Sequence, residues 1–174
     1  MEKMEKTNWK VDVAHSEIGF KVKHMMISTV SGSFSDFDAS IETDNDNFKN
    51  ANFTFTGKIA SIDTKNKDRD QHLKSADFFD AETFPELTFQ SKSFDGETMI
   101  GDLTIKNTTK EIAIDVTFNG IAQDPYGQTK AGFEGSTDIS RKEFGLSWNA
   151  VTEAGSIVVS DRVKLVLDLQ FIKQ

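Results

Sequence analysis

Apolar and polar residues alternate along most of this chain. Trp9, Val11 and Val13 alternate with Lys10, Asp12 and Ala14, and Ile18, Phe20 and Val22 with Gly19, Lys21 and Lys23. Ile112, Ile114, Val116 and Phe118 stand opposite Glu111, Ala113, Asp115 and Thr117. Near the end, Val163, Leu165, Leu167, Leu169 and Phe171 stand opposite Arg162, Lys164, Asp168 and Gln170, with Val166 out of step. Residues two apart share one face of a strand, so each run predicts a half-buried β-strand in an antiparallel sheet. Further strands are expected over 30–41, 51–62, 86–94, 98–105 and 130–139. In the first of these the parity slips between Phe34 and Phe37, which predicts a bulge or bend.

Turn chemistry separates the runs: Asp44-Asn45-Asp46-Asn47, Asp95-Gly96, Lys106-Asn107-Thr108-Thr109 and Asp124-Pro125-Tyr126-Gly127. Regularly spaced strands joined in this way point to a sandwich or a closed barrel. One stretch changes period: Arg69, His72, Leu73, Ala76 and Phe79 recur at helical spacing, so a short helix is expected over 66–79, ended by 80–85. Residues 1–8 read as a polar tail and 9–174 as one domain, without repeats or linker composition.

Composition narrows the function. The 174 residues carry no cysteine, which excludes disulfides, thiolate metal sites and a thiol nucleophile. A net charge of −8 with scattered lysines argues against nucleic-acid binding. No apolar run approaches a membrane span and no signal peptide is visible, so the chain as written is expected to be cytoplasmic. Fifteen of the 18 aromatic residues are Phe, rings without a polar handle that need a dry environment.

Parity turns Ile18, Phe20, Val22, Phe53, Phe55, Leu103, Ile105, Ile114, Val116, Phe118, Phe133, Val163, Leu165 and Leu167 inward. These side chains either fill the interior as a solid core or wall a cavity suited to a hydrocarbon tail, and periodicity leaves both open. Catalytic signals are weak. His15, His24 and His72 lack the spacing of a metal-ligand motif, and no nucleophile elbow or phosphate loop is present. The acidic residues between Asp36 and Asp46 lack calcium-loop order and read as a solvated turn. Arg69, beside Asp70, and Arg141 read either as structural ion pairs or as anchors for a polar head group.

Several motifs resemble those of the YceI-like family. They are Asp12-Val13-Ala14-His15-Ser16-Glu17-Ile18-Gly19-Phe20, Gly32-Ser33-Phe34-Ser35-Asp36-Phe37, and Ser61-Ile62-Asp63-Thr64 followed by residues 69–80. Phe84-Pro85, Gly101-Asp102-Leu103-Thr104, Arg141-Lys142-Glu143-Phe144-Gly145 and Val158-Val159-Ser160-Asp161-Arg162-Val163 follow in family order. The resemblance implies an all-β, lipocalin-like eight-stranded antiparallel barrel with one short helix at its mouth. Its cavity would hold a polyprenyl lipid, a quinone tail or a similar amphiphile, with no catalytic residue, metal or other cofactor. A homodimer is an expectation from the family alone. Asn107 and Glu111 stand where relatives often carry Gly and Pro, and Asn tolerates the left-handed conformation.

The expected ligand-binding set is the inward list without Ile18 and Ile105, joined by Phe34, Phe89 and Phe144. At the mouth, Leu73, Phe78 and Phe79 are expected to wall the entrance, with Arg69, His72 or Arg141 meeting a polar head. The competing readings are an enzyme acting on an amphiphile through His15 or His72, and a stress-related protein with a solid barrel.

Overall fold

The computed structural model describes residues 6–146 and 159–174; Val158 of the closing motif and most of the six-residue polar start lie outside them. In chain order the strands are β1 (Thr7–Val11), β2 (Glu17–His24), β3 (Ser28–Phe34), β4 (Phe37–Thr43), β5 (Asn52–Lys58) and β6 (Ile62–Asp63). Helix α1 (Lys67–Lys74) follows, then β7 (Glu86–Phe94), β8 (Thr98–Ile105), β9 (Thr108–Gln123), β10 (Thr129–Ser140) and β11 (Val159–Lys173). Residues 7 and 8, read from the sequence as tail, already belong to β1, where Thr7 pairs with Thr43 and Asn8 with Glu42.

These segments close into an eight-stranded antiparallel barrel, because three of its walls are each built from two segments. β1 and β2 both pair with β11, through Val11↔Phe171 and Glu17↔Asp168. β3 pairs with β2 and β4 with β1, and β6 and β5 continue the next wall alongside them. From β5 the sheet runs through β7, β8, β9 and β10 to β11, and the β1–β11 pairing closes the ring. Among the described residues, closure leaves no long free edge to template aggregation.

The breaks have local causes. Between β1 and β2, Asp12 Oδ2 lies 2.7 Å from His15 Nδ1 and accepts from Lys130 Nζ at 2.8 Å. Ser16 Oγ donates to the Gln170 carbonyl and accepts from the Gln170 amide at 2.9 Å. The Asp-x-x-His-Ser motif thus staples the kinked wall onto β11 and β10. The parity slip between Phe34 and Phe37 is the break between β3 and β4, where the Lys58 amide bonds the Asp36 carbonyl at 2.9 Å. Phe34 and Phe37 are both buried because the bend restores the inward direction.

Two expectations need correcting. The helix ends at Lys74, five residues earlier than helical spacing predicted. The Ser75 hydroxyl bonds the His72 carbonyl and Ser75 is extended, so Phe78 and Phe79 sit in turns beyond the helix. In the β8–β9 hairpin the left-handed residue is Lys106 (φ 57°), not Asn107.

Antiparallel pairing sorts the connections to two ends. One end carries the loops 44–51, 95–97 and 124–128; the other carries the turn 25–27, the α1 connection, the turn 106–107 and the Arg141–Leu146 turn. At the first end Phe48 is fully buried and inserts between Trp9, Phe118 and Phe133, with ring centroids 5.3, 5.0 and 5.1 Å away. The acidic turn read from the sequence supports this plug: Asn47 Oδ1 accepts from the Lys49 amide and Thr43 Oγ1 from the Asn45 amide.

Candidate ligand cavity

Above the aromatic plug lies a cavity of about 120 Å³ with a lining that is almost wholly hydrocarbon. Phe53, Phe133 and Phe171 form its base, with Phe171 and Phe53 each edge-on to Phe133. Its sides are built by Ile18, Phe34, Phe55, Leu87, Phe89 and Met99, and by Leu103, Ile105, Ile112, Ile114 and Val116. Leu165, Leu167 and Leu169 complete the wall on β11. The alternation explains this: every second residue of β8 (Met99, Gly101, Leu103, Ile105) is buried, as is every second residue of β4. An apolar cavity of this kind stays dry and takes apolar guests.

Gly135 matters to the size of the cavity. It lies on β10 at an inward position between Phe133 and Thr137, where every larger side chain would project into the space. A Cβ there would meet Ile114 Cγ2 and Leu167 Cδ1 at 3.3 Å.

Ten of the sequence-predicted ligand residues line the cavity together: Phe34, Phe53, Phe55, Phe89, Leu103, Ile114, Val116, Phe133, Leu165 and Leu167. Phe118 instead belongs to the plug, stacked on Phe133 at 5.0 Å. Phe20, Val22 and Val163 lie outside the cavity, toward the helix end. There the inward cross-strand pairs Ile18↔Leu167, Phe20↔Leu165 and Val22↔Val163 rise in sequence, and exposure rises from buried Ile18 to half-buried Phe20 and Val22. Leu73 and Phe79 are half-buried against the core without reaching the cavity. Phe78 is buried edge-on to the His72 ring, and Phe144 is buried in the turn after β10.

The polar candidates are bound into the framework. Arg69 Nε donates to Thr64 Oγ1 at 2.7 Å and Nη2 to the Thr64 carbonyl at 2.6 Å, while Asp70 Oδ1 accepts from the Thr64 amide and hydroxyl. His72 Nε2 lies 2.9 Å from Asp77 Oδ2. The Arg141 guanidinium is buried and donates to the carbonyls of Ser160, Leu146 and Val159. Burial pushes its pKa down against the opposing pull of Asp161, yet a guanidinium stays charged. Asp161 is held below the usual carboxylate range by the Ser140 hydroxyl, and Asp12 by the Lys130 ammonium with help from His15.

Sequence reasoning left Ile18, Leu87, Met99, Ile105, Ile112, Leu169 and Phe171 out of the ligand set, although all seven fall on inward parity within predicted strands. The Phe48 plug carried no signal, since it sits in a loop and adopts a positive φ of 61°.

A YceI-like domain model matches residues 9–171. A UPF0312 protein of Staphylococcus aureus is 40% identical over 166 residues, covering 95% of this chain and 97% of the relative. The crystal structure of a Campylobacter jejuni YCEI protein superposes with a TM-score of 0.72 at 34% identity, covering 100% of this chain and 99% of that one. A polyisoprenoid binding domain from Saccharophagus degradans, implicated in plant cell wall breakdown, shares the fold at a TM-score of 0.73 and 12% identity, over 95% of this chain and 98% of that one. With nearly its whole length matched by motif, sequence and fold alike, this chain belongs to the YceI-like family.

Proposed function

We propose that this protein is a non-enzymatic binding protein that holds the hydrocarbon tail of an amphiphilic lipid, a polyprenyl or quinone tail or one like it, inside the barrel. The observation that carries this reading is the apolar cavity between the Phe48 plug and the helix end. The polyisoprenoid binding named for the Saccharophagus degradans domain of the same fold agrees with it. Each methylene taken from water into such a space contributes about 0.8 kcal/mol. Some ten of them offset the cost of ordering the guest and leave useful affinity.

The cavity of about 120 Å³ is smaller than the roughly 300–1,000 Å³ of typical ligand pockets, so it holds a short length of chain as it stands. A longer tail would be accommodated by rotamer changes of Met99, Leu165 and Leu167, flexible side chains on its wall. It would extend upward along the Phe20–Leu165 and Val22–Val163 pairs and past Leu73 and Phe79 to the helix end. The polar head would then emerge near Arg69, His72 and Arg141. With their bonds described above, these residues serve first to fix the rim. His15 and His72, the acid–base candidates of the enzyme reading, do not line the cavity.

The test is to purify the protein without detergent, extract it with organic solvent and analyse the extract by mass spectrometry. Near-stoichiometric long-chain lipid, unaltered in composition by His72→Ala, is the expected result. An empty extract favours a stress-related structural protein, and a substrate–product pair that changes with His72→Ala favours an enzyme.

A further inference from the structure

The turn joining β2 to β3 is built against local preference. The Ile27 amide bonds the His24 carbonyl at 3.2 Å, and Met25 (φ 52°) and Met26 (φ 59°) between them both lie in the left-handed region. A tight hairpin with two such residues is the setting where Asn-Gly is strongly preferred, because a Cβ is strained there. The chain places two methionines in it, followed by an isoleucine. All three are exposed, Met26 at 67% and Ile27 at 82%. Large apolar side chains held in strained backbone and pointed at water gain nothing within the fold.

The surroundings specify what they meet. On the outer face of the wall below the tip stand Lys21, Lys23, Arg162 and Lys164, all exposed. Lys21 lies directly across from Lys164, and Lys23 bonds Thr29. Among the described residues none of the four is in an ion pair; Asp138 lies across from Lys164 on β10. Like charges placed opposite each other on a strand pair are unfavourable without an external partner. The whole chain carries −8, but screening over roughly 8 Å at physiological salt leaves the local cations to govern what this face meets.

We propose that the Met25–Ile27 tip inserts into the interface of an anionic lipid bilayer, with the Lys21, Lys23, Arg162 and Lys164 face against the headgroups. An apolar tip above a cationic flank is the arrangement that gives interfacial binding. The tip lies at the same end of the barrel as α1, so docking presents that end to the membrane. The docking itself does not depend on what the cavity holds. Its use, passing a lipid tail between bilayer and barrel, rests on the reading given above.

Co-sedimentation with vesicles tests this. The full chain should bind vesicles of phosphatidylcholine containing phosphatidylglycerol, and bind vesicles of phosphatidylcholine alone far more weakly. Replacing the tip through Met25→Asn, Met26→Gly and Ile27→Thr installs the preferred turn, so the fold is retained. Partitioning should then fall about tenfold or more. Lys21→Glu with Lys23→Glu should abolish the preference for anionic vesicles and its salt sensitivity. Absence of binding by the parent, or equal binding by the tip variant, overturns the proposal. So does a parent that is dimeric in light scattering and becomes monomeric on tip replacement, since the tip would then be a contact between copies. An empty lipid extract together with vesicle binding would sink the cavity reading and leave the docking intact.

Discussion

The ring of Phe48 meets that of Phe133 edge to face, centroids 5.1 Å apart and planes at 87°. Phe48 comes from a loop and closes the barrel; Phe133 also forms part of the cavity floor. This contact is part of the aromatic plug, with Trp9 and Phe118, that separates the dry interior from the solvent beyond that end. Phe48→Ala removes a fully buried ring from contact with three aromatic neighbours. The expected cost is about 3–5 kcal/mol, or a fall in Tm of roughly 10 °C for a domain of this size. Thermal unfolding followed by circular dichroism checks it, and a change below the size of an ordinary surface substitution would show that the plug is not structural.

Arg141 should behave as a framework residue. Its guanidinium satisfies three backbone carbonyls at once, from Ser160, Leu146 and Val159. Arg141→Ala removes the donor to the buried Leu146 carbonyl and to the part-buried Ser160 carbonyl and should cost about 2–3 kcal/mol. Arg141→Lys should recover little of this, because an ammonium cannot reproduce the planar fork. Urea midpoints of the two variants give the comparison; full recovery by Lys would mean that charge, not geometry, is what matters there.

Asp12 gives a pH signature. Its folded pKa lies below its unfolded value, chiefly through the Lys130 hydrogen bond. Its contribution is thus fully present above the ordinary carboxylate range and is lost as pH falls below about 4. Asp12→Asn should lower stability by about 1 kcal/mol at neutral pH, the scale of a partly exposed pair. The two proteins should converge in acid. A gap that persists unchanged at low pH would assign the loss to packing instead.

Phe79 lies half-buried against the core in the turn after α1. Phe79→Asp should leave a folded barrel that retains markedly less lipid after purification, because a carboxylate would stand on the tail's path. If the folded variant yields as much lipid as the parent, the tail does not pass this residue.

Much of the barrel was legible in the alternation. Val11, Ile18, Ile114 and Leu167 face inward on the parity that the alternation sets, Leu167 despite its apolar neighbour Val166, and the slip between Phe34 and Phe37 is a true bend. The cavity floor was legible, since Phe53, Phe133 and Phe171 follow parity, whereas the plug beneath it was not: Phe48 is a loop residue in a left-handed conformation that no periodicity describes. The helix was read too long, because Leu73 and Phe79 fit helical spacing while the Ser75 hydroxyl ends the helix between them. In the sequence His15 is an acid–base candidate on the enzyme reading alone, Arg69 and Arg141 read as ion pairs or head-group anchors, and Asp12 stands only in a family motif. Asp12 meets Lys130, and Arg141 the Ser160 and Val159 carbonyls, only once strands distant in the chain come together, whereas the Arg69–Thr64 and Asp12–His15 bonds are local to the turns those residues sit in.

The central claim is that the tail sits inside the barrel, and Gly135 tests it most directly. Gly135→Leu fills the cavity from its own wall, against the Ile114 branch methyl and the flexible end of Leu167. A polyprenol is titrated into delipidated parent and variant, with matched circular dichroism spectra showing that both are folded. The parent should bind one chain per barrel and the variant should bind at least tenfold more weakly, since several methylenes lose their place. Equal binding by the two proteins would place the lipid on the surface and contradict the account.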